Sequence, residues 1–236
     1  MKIKGHAEAG ASAKTTDLAV AGKEPVATGL LLGMSLPRVD LLEPLKEVNG
    51  RCIDLLVHTA RSSRPDALPL VGQILEELRG VTPEVRTRIA DRAILLVDMQ
   101  FKNGEWWRKA KQHPSRPAPL PAWRGAFPRP GGSHLARITL TLAWHTIVSD
   151  RYAACLMGMT REVAGIVAEF SPIEILRIAE LHHRHIRPRW EDRPGIWRRL
   201  FQVARSDNLR KARDFNLYTV HLLTGEVLTP SVDRGP

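Results

Sequence analysis

Along most of this 236-residue chain the apolar positions recur at helical rather than strand spacing. After Pro44, the residues Leu45, Val48, Cys52, Leu55 and Thr59 fall three or four apart, which predicts an amphipathic helix ending around residues 61–65. A second helix carries Val71, Ile74, Leu75 and Leu78 and stops at Gly80. A third starts at Thr82-Pro83, where a hydroxyl can cap and the proline lacks an amide hydrogen that the first helical position does not need. The run Ala93–Phe101 reads either as a helix end or as a short strand with apolar residues alternating from Leu95. Further on, a helix is predicted over 134–157, with Leu135, Ile138, Leu142 and His145 on one face. Others start at Thr160, at Ser171 and at Arg193-Pro194, and a last one is capped by Asp207 and ended by Gly225. Ser171-Pro172-Ile173-Glu174 is a capping box, and Pro188 closes the helix behind it near Ile186. The fold class read from this pattern is all-α, with room for one hairpin-like element.

The pattern also repeats. Shifted by 89 residues, Phe170-Ser171-Pro172 and Arg177-Ile178-Ala179 return as Val81-Thr82-Pro83 and Arg88-Ile89-Ala90. Trp190 followed by Trp197-Arg198 has a counterpart in Phe101 followed by Trp107-Arg108, with one residue of slack. The chain is therefore divided into a leader over 1–35, a first repeat over 36–110, a linker over 111–133, a second repeat over 134–228 and a tail over 229–236. The leader is rich in Ala, Gly, Thr and Lys without periodicity and is expected to be disordered. Lys111–Gly132 holds six prolines and three glycines, a composition that argues against a helix or a central strand. Trp123 and Phe127 are expected to pin this linker to a surface.

Composition narrows the function classes. The formal net charge is +10, and the surplus lies between Lys102 and Arg213, because residues 1–50 are balanced. Such a surplus suits a nucleic-acid backbone or an acidic partner. No apolar run reaches the roughly 18 residues of a membrane span, and Lys2 and Lys4 are followed by no apolar signal region, so a cytoplasmic protein is expected. Cys52 and Cys155 fit no metal or disulfide spacing. A Gly-rich phosphate loop, a nucleophile elbow and a zincin helix are all lacking from the sequence. Asp54, Asp91 and Asp98 read as caps or arginine partners. The chain is not expected to be an enzyme or to carry a cofactor or metal, and His182, His183 and His185 read as polar groups at a helix end.

With the helices placed, the second repeat resembles the bacterial flagellar transcriptional activator subunit FlhD. The carrying residues are Leu142-Ala143, Asp150-Arg151 with Ala153, and above all the ungapped run from Gly158-Met159-Thr160 through Ala164, Ala168, Phe170-Ser171 and Arg177-Ile178-Ala179. The first repeat resembles the same family more loosely, through Glu47-Val48-Asn49, Gly72-Gln73, Arg88-Ile89-Ala90 and 95–101. The resemblance implies a helical, non-enzymatic regulator that joins a second subunit of the FlhC kind at promoters. It also implies that two fused copies form an intramolecular pseudo-dimer, giving a pseudo-dimeric monomer or a weak homo-oligomer. Family members of the enteric type link their dimer through a cysteine; the matching positions here are Val97 and Ile186, so that disulfide is absent.

The candidate DNA-binding residues are Arg184, Arg187, Arg189, Arg193, Arg198, Arg199, Arg205, Arg210 and Lys211, interleaved with Trp190 and Trp197. Arginine forks hold phosphates and tryptophan can stack. The competing reading makes both tryptophans core anchors with arginines lying beside them. Two functions follow: a transcriptional regulatory protein working through protein contacts with DNA-backbone contacts as support, or a protein-interaction adaptor that keeps the fold and binds no DNA.

Overall fold

The computed structural model describes residues 41–62, 68–113 and 127–228. The leader, the tail and most of the linker, including Trp123, lie outside them. The first helix, α1 (Leu42–Arg61), buries Leu45, Val48, Cys52, Leu55 and Thr59 as their spacing requires. The predicted second helix is two short ones, α2 (Pro69–Gln73) and α3 (Leu75–Arg79), broken at Ile74. There the Ile74 amide donates to both Leu70 and Val71 carbonyls, a kink that keeps Leu70, Val71, Ile74 and Leu78 all in the core. Next, α4 (Pro83–Ala90) is capped by Thr82, whose hydroxyl accepts from the Val85 amide.

The ambiguous run 93–101 resolves as irregular chain around a two-residue strand, β1 (Val97–Asp98). Asn49, fully buried on α1, fixes it. Its amide group donates to the carbonyl of Ile94 at 2.9 Å, and its side-chain oxygen accepts from the Leu96 amide at 2.8 Å. A helix cannot form across residues whose backbone groups are taken by a side chain from elsewhere. Then follow α5 (Gly104–Gln112) and α6 (Arg129–Ser149). These bounds correct the linker at both ends: Lys111 and Gln112 finish α5, and Arg129–Gly132 open α6. Pro130 is tolerated because it stands in the first turn, where no amide donor is needed.

Helix α6 also stops short of the predicted Met157. Asp150 turns extended, and its carboxylate accepts from the Tyr152 amide at 2.9 Å, starting a 3-10 turn over Arg151–Met157. Thr160 and Ser171 cap α7 (Arg161–Ala168) and α8 (Pro172–Leu181), the latter with both halves of the capping box formed. After a 3-10 turn at His183–His185 comes β2 (Arg187–Pro188), then α9 (Pro194–Arg205) and α10 (Leu209–Leu228). Two expectations for α10 fail. Asn208 caps it, accepting from the Lys211 amide, while Asp207 ion-pairs with Arg88 at 2.6 Å. Gly225 lies inside the helix, and the turn after it is held because Glu226 is gripped by Lys102, Trp190 and Arg193.

Predominantly helical, the described residues share one continuous core. Helix α6 is its spine, packed against α1, α7 and α8, while α4 lies against α1 and α9, and α5 against α7. Strands β1 and β2 pair antiparallel, Val97 opposite Pro188 and Asp98 opposite Arg187. No described helix is long and apolar enough to cross a membrane.

Candidate functional site

The short ladder organises a group of charged side chains. Just beyond each strand one residue adopts a left-handed backbone, Gln100 at φ 58° and Trp190 at φ 54°. Neither is glycine, and a non-glycine residue at positive φ persists only where its surroundings hold it. Here the indoles hold it: Trp107 Nε1 donates to the Gln100 carbonyl at 3.1 Å, and Trp197 Nε1 to the Arg189 carbonyl at 2.7 Å. Asp98 steadies the first turn, accepting from the amides of Gln100 and Phe101. The match of conformations sets Trp190 beside Gln100, one residue away from the Phe101 pairing expected from sequence. Trp107, Trp190 and Trp197 are all buried, so they are core anchors.

Arg189 sits at the centre, 3% exposed. Its Nε donates to the Leu95 carbonyl at 2.9 Å, and Nη2 donates to the carbonyls of Val97 (2.9 Å) and Met157 (2.7 Å). Burial lowers its pKa, opposed by Asp98 and Glu226. Gly158 makes room for it: with φ +66°, a side chain there would be strained, and its Cβ would lie 2.1 Å from Arg189 Nη1. Around this guanidinium a cleft of about 340 Å³ is lined by Asp98, Lys102, Arg187, Glu191, Arg193 and Glu226, among others. Positive and negative groups alternate, so its field is that of a neutralised network rather than of a single-sign patch.

This geometry dismantles much of the proposed DNA face. Arg187 and Arg189 are buried. Arg193 pairs with Glu226 at 3.0 Å; Arg198 donates to the Gln73 carbonyl at 2.7 Å and lies 3.4 Å from Glu77; Arg205 donates to the Glu77 carbonyl at 3.0 Å. Arg199 lies over the Tyr218 ring, 5.3 Å from its centroid. Arg184, Arg210 and Lys211 are exposed and make no ion pair among the described residues. The missed residues are Asn49, Gly158 and Glu226. Gly158 and Asn49 stood in the family-like stretches as letters only, and Glu226 gave no signal, since its three partners lie 33 to 124 residues away.

The histidines take two roles. His183 Nδ1 is 2.8 Å from the Glu180 carbonyl at the end of α8. His182 and His185 are buried against Trp106, with ring centroids 4.9 and 5.2 Å from it. Burial, helped by His185, pushes the His182 pKa down to about 4, so it is neutral near pH 7. Of the acids, Asp54 takes a bidentate grip from Arg86 (2.5 and 2.7 Å), and Asp91 lies 3.7 Å from Lys46 rather than from an arginine. Both cysteines are free thiols whose pKa burial raises. Among the described residues no group of three His, Cys, Asp or Glu side chains is placed to hold a metal ion. No protein-family model, no curated protein and no solved structure matches the chain.

Proposed function

We propose that this chain is a tandem FlhD-like protein, an intramolecular pseudo-dimer that works in transcriptional regulation through protein contacts. The observation that carries the reading is the register of the ladder. Asp98 and Arg187 face each other and are 89 residues apart, the same interval that relates the sequence repeats. Two copies related by a two-fold axis must pair equivalent positions with one another at that axis, and antiparallel pairing of unrelated segments has no reason to do so. The flanking detail supports it. Gln100 and Trp190 share a rare backbone conformation, and an indole donates to each turn, Trp107 to the carbonyl of Gln100 and Trp197 to that of Arg189, one residue before Trp190. Arg108 reaches α7 through Glu162 as Arg198 reaches α3 through Glu77. Val97 and Ile186, the positions matching the family's dimer-linking cysteine, are both fully buried, one in β1 and one beside β2.

Two consequences are testable. Mass in solution should be that of a single chain, because the tethered copies satisfy each other at high effective concentration; a tight homodimer with exchanged repeats refutes the pseudo-dimer. Pull-down of the tagged chain from its own cytosol should recover an FlhC-like subunit, and its reproducible absence refutes the regulatory role. The second reading, an adaptor without DNA contacts, is favoured by one observation: six of the nine candidate cationic residues are buried or committed to partners inside the chain. Duplex DNA affinity separates the two, since a regulator touching several phosphates weakens steeply between about 50 and 200 mM salt.

A further inference from the structure

Away from the ladder, a cavity of about 240 Å³ opens where the end of α4 meets the junction of α9 and α10. Arg88, Arg92, Ser206, Asp207, Asn208 and Asn216 line it. Arg92 is 6% exposed, yet it makes no ion pair among the described residues. Its Nη1 donates to the neutral Asn216 side chain at 3.0 Å, and its Nε has no acceptor among the described residues. A buried guanidinium is costly unless its charge and donors are met. The two carboxylates in the cavity meet them only in part: Asp207 is held by Arg88 at 2.6 Å, and Asp91, 3.7 Å from Lys46, offsets the charge of Arg92 without forming an ion pair with it.

The N-terminus of α10 faces the same place. Its first amides have no intrahelical acceptor, and the Asn208 side-chain oxygen meets only that of Lys211. No acidic residue stands in its first turn, where Arg210 and Lys211 instead add positive charge to the positive end of the helix dipole. An arrangement that gathers cations and free donors against the dipole is stable when an anion completes it.

We propose that this cavity binds a small phosphate-bearing ligand, with Arg92 and Arg88 as its cationic clamp and the start of α10 as its amide cradle. At about 30 Å³ per water, it has room for roughly eight waters, enough for a phosphate group and a small carrier. The site is independent of the FlhD-like reading. When phosphate enters, it competes with the exposed carboxylate of Asp207 for Arg88.

Calorimetric titration of the full chain with inorganic phosphate, and separately with glycerol phosphate, at constant ionic strength tests this. Saturable binding of either is expected; binding of both at equal strength identifies the free ion as sufficient, and tighter glycerol phosphate identifies a phosphomonoester. Arg92→Met should weaken binding at least about tenfold, the loss of one charge-assisted hydrogen-bonding partner. Should that variant fail to fold, D207N carries the test: removing the competing carboxylate should tighten binding about threefold or more, an effect that a merely structural role for Arg88 and Asp207 would not give. Heat no different from added chloride, or affinity unchanged in D207N, overturns the proposal. So does Arg92-dependent binding of a short DNA duplex without any binding of the small phosphates.

Discussion

Replacing Arg189 by methionine removes the donors of three buried carbonyls at once, those of Leu95, Val97 and Met157. Leaving a buried polar group unsatisfied costs about 1–3 kcal/mol. Three such groups set the loss near 3–9 kcal/mol, and the relief of a desolvated charge offsets several kcal/mol of it. Methionine fills most of the volume, so a net loss of about 3–5 kcal/mol is expected. With a slope near 2 kcal/mol per molar, that shifts the urea midpoint down by about 2 M. Circular dichroism and tryptophan emission should report the same transition, since Trp190 and Trp197 stand on either side of the missing group. Arg189→Lys should fall between, because one ammonium cannot span the carbonyls that the fork reaches. Arg184→Ala, at an exposed site, is the control and should move nothing. A midpoint lowered by less than about 0.5 M in Arg189→Met would refute the idea that this guanidinium holds the junction together.

Gly158→Ala should destabilise by about 1–3 kcal/mol, through left-handed strain and displacement of Arg189, read as a lower melting temperature. Asn49→Leu should cost about 2–4 kcal/mol, because the Ile94 carbonyl and Leu96 amide lose their partner, and amide exchange at Leu96 should quicken. For His182 the folded pKa, about 4, lies below the unfolded value near 6.5, so the unfolded chain binds the proton first. Stability should therefore fall as pH drops from about 6.5 to 4, by up to about 3 kcal/mol, and His182→Phe should flatten that part of the profile. Thiol reagents should modify half-buried Cys155 before fully buried Cys52, as mass spectrometry of timed samples would show.

Much of the helical framework was legible because its signals are local. Thr82, Thr160 and Ser171 cap as their sequence promises, and α1 buries the stripe its periodicity marks. The failures have a common cause in groups distant along the chain. Asn49 decides the conformation of 94–96 from 45 residues away, Asp150 interrupts a helix that apolar spacing would continue, and Glu226 is fixed by partners from three segments. The candidate arginines failed for a related reason. Charge can be counted in a sequence, but Arg187 and Arg189 are drawn inward by carbonyls and carboxylates that no local pattern reveals.

The ladder between β1 and β2 consists of two residues from each strand, supplied from opposite halves of the described chain. Among the described residues neither strand has another strand to pair with, so neither half completes its architecture alone. The folding unit then spans both halves of the described residues, and its early steps must bring positions about ninety residues apart together before local helices gain their full stability. A chain cut between α5 and α6 should still assemble as two mutually dependent fragments, each largely unstructured until the other is added. Joining the two segments in one chain turns what would be a bimolecular encounter into the closure of a loop.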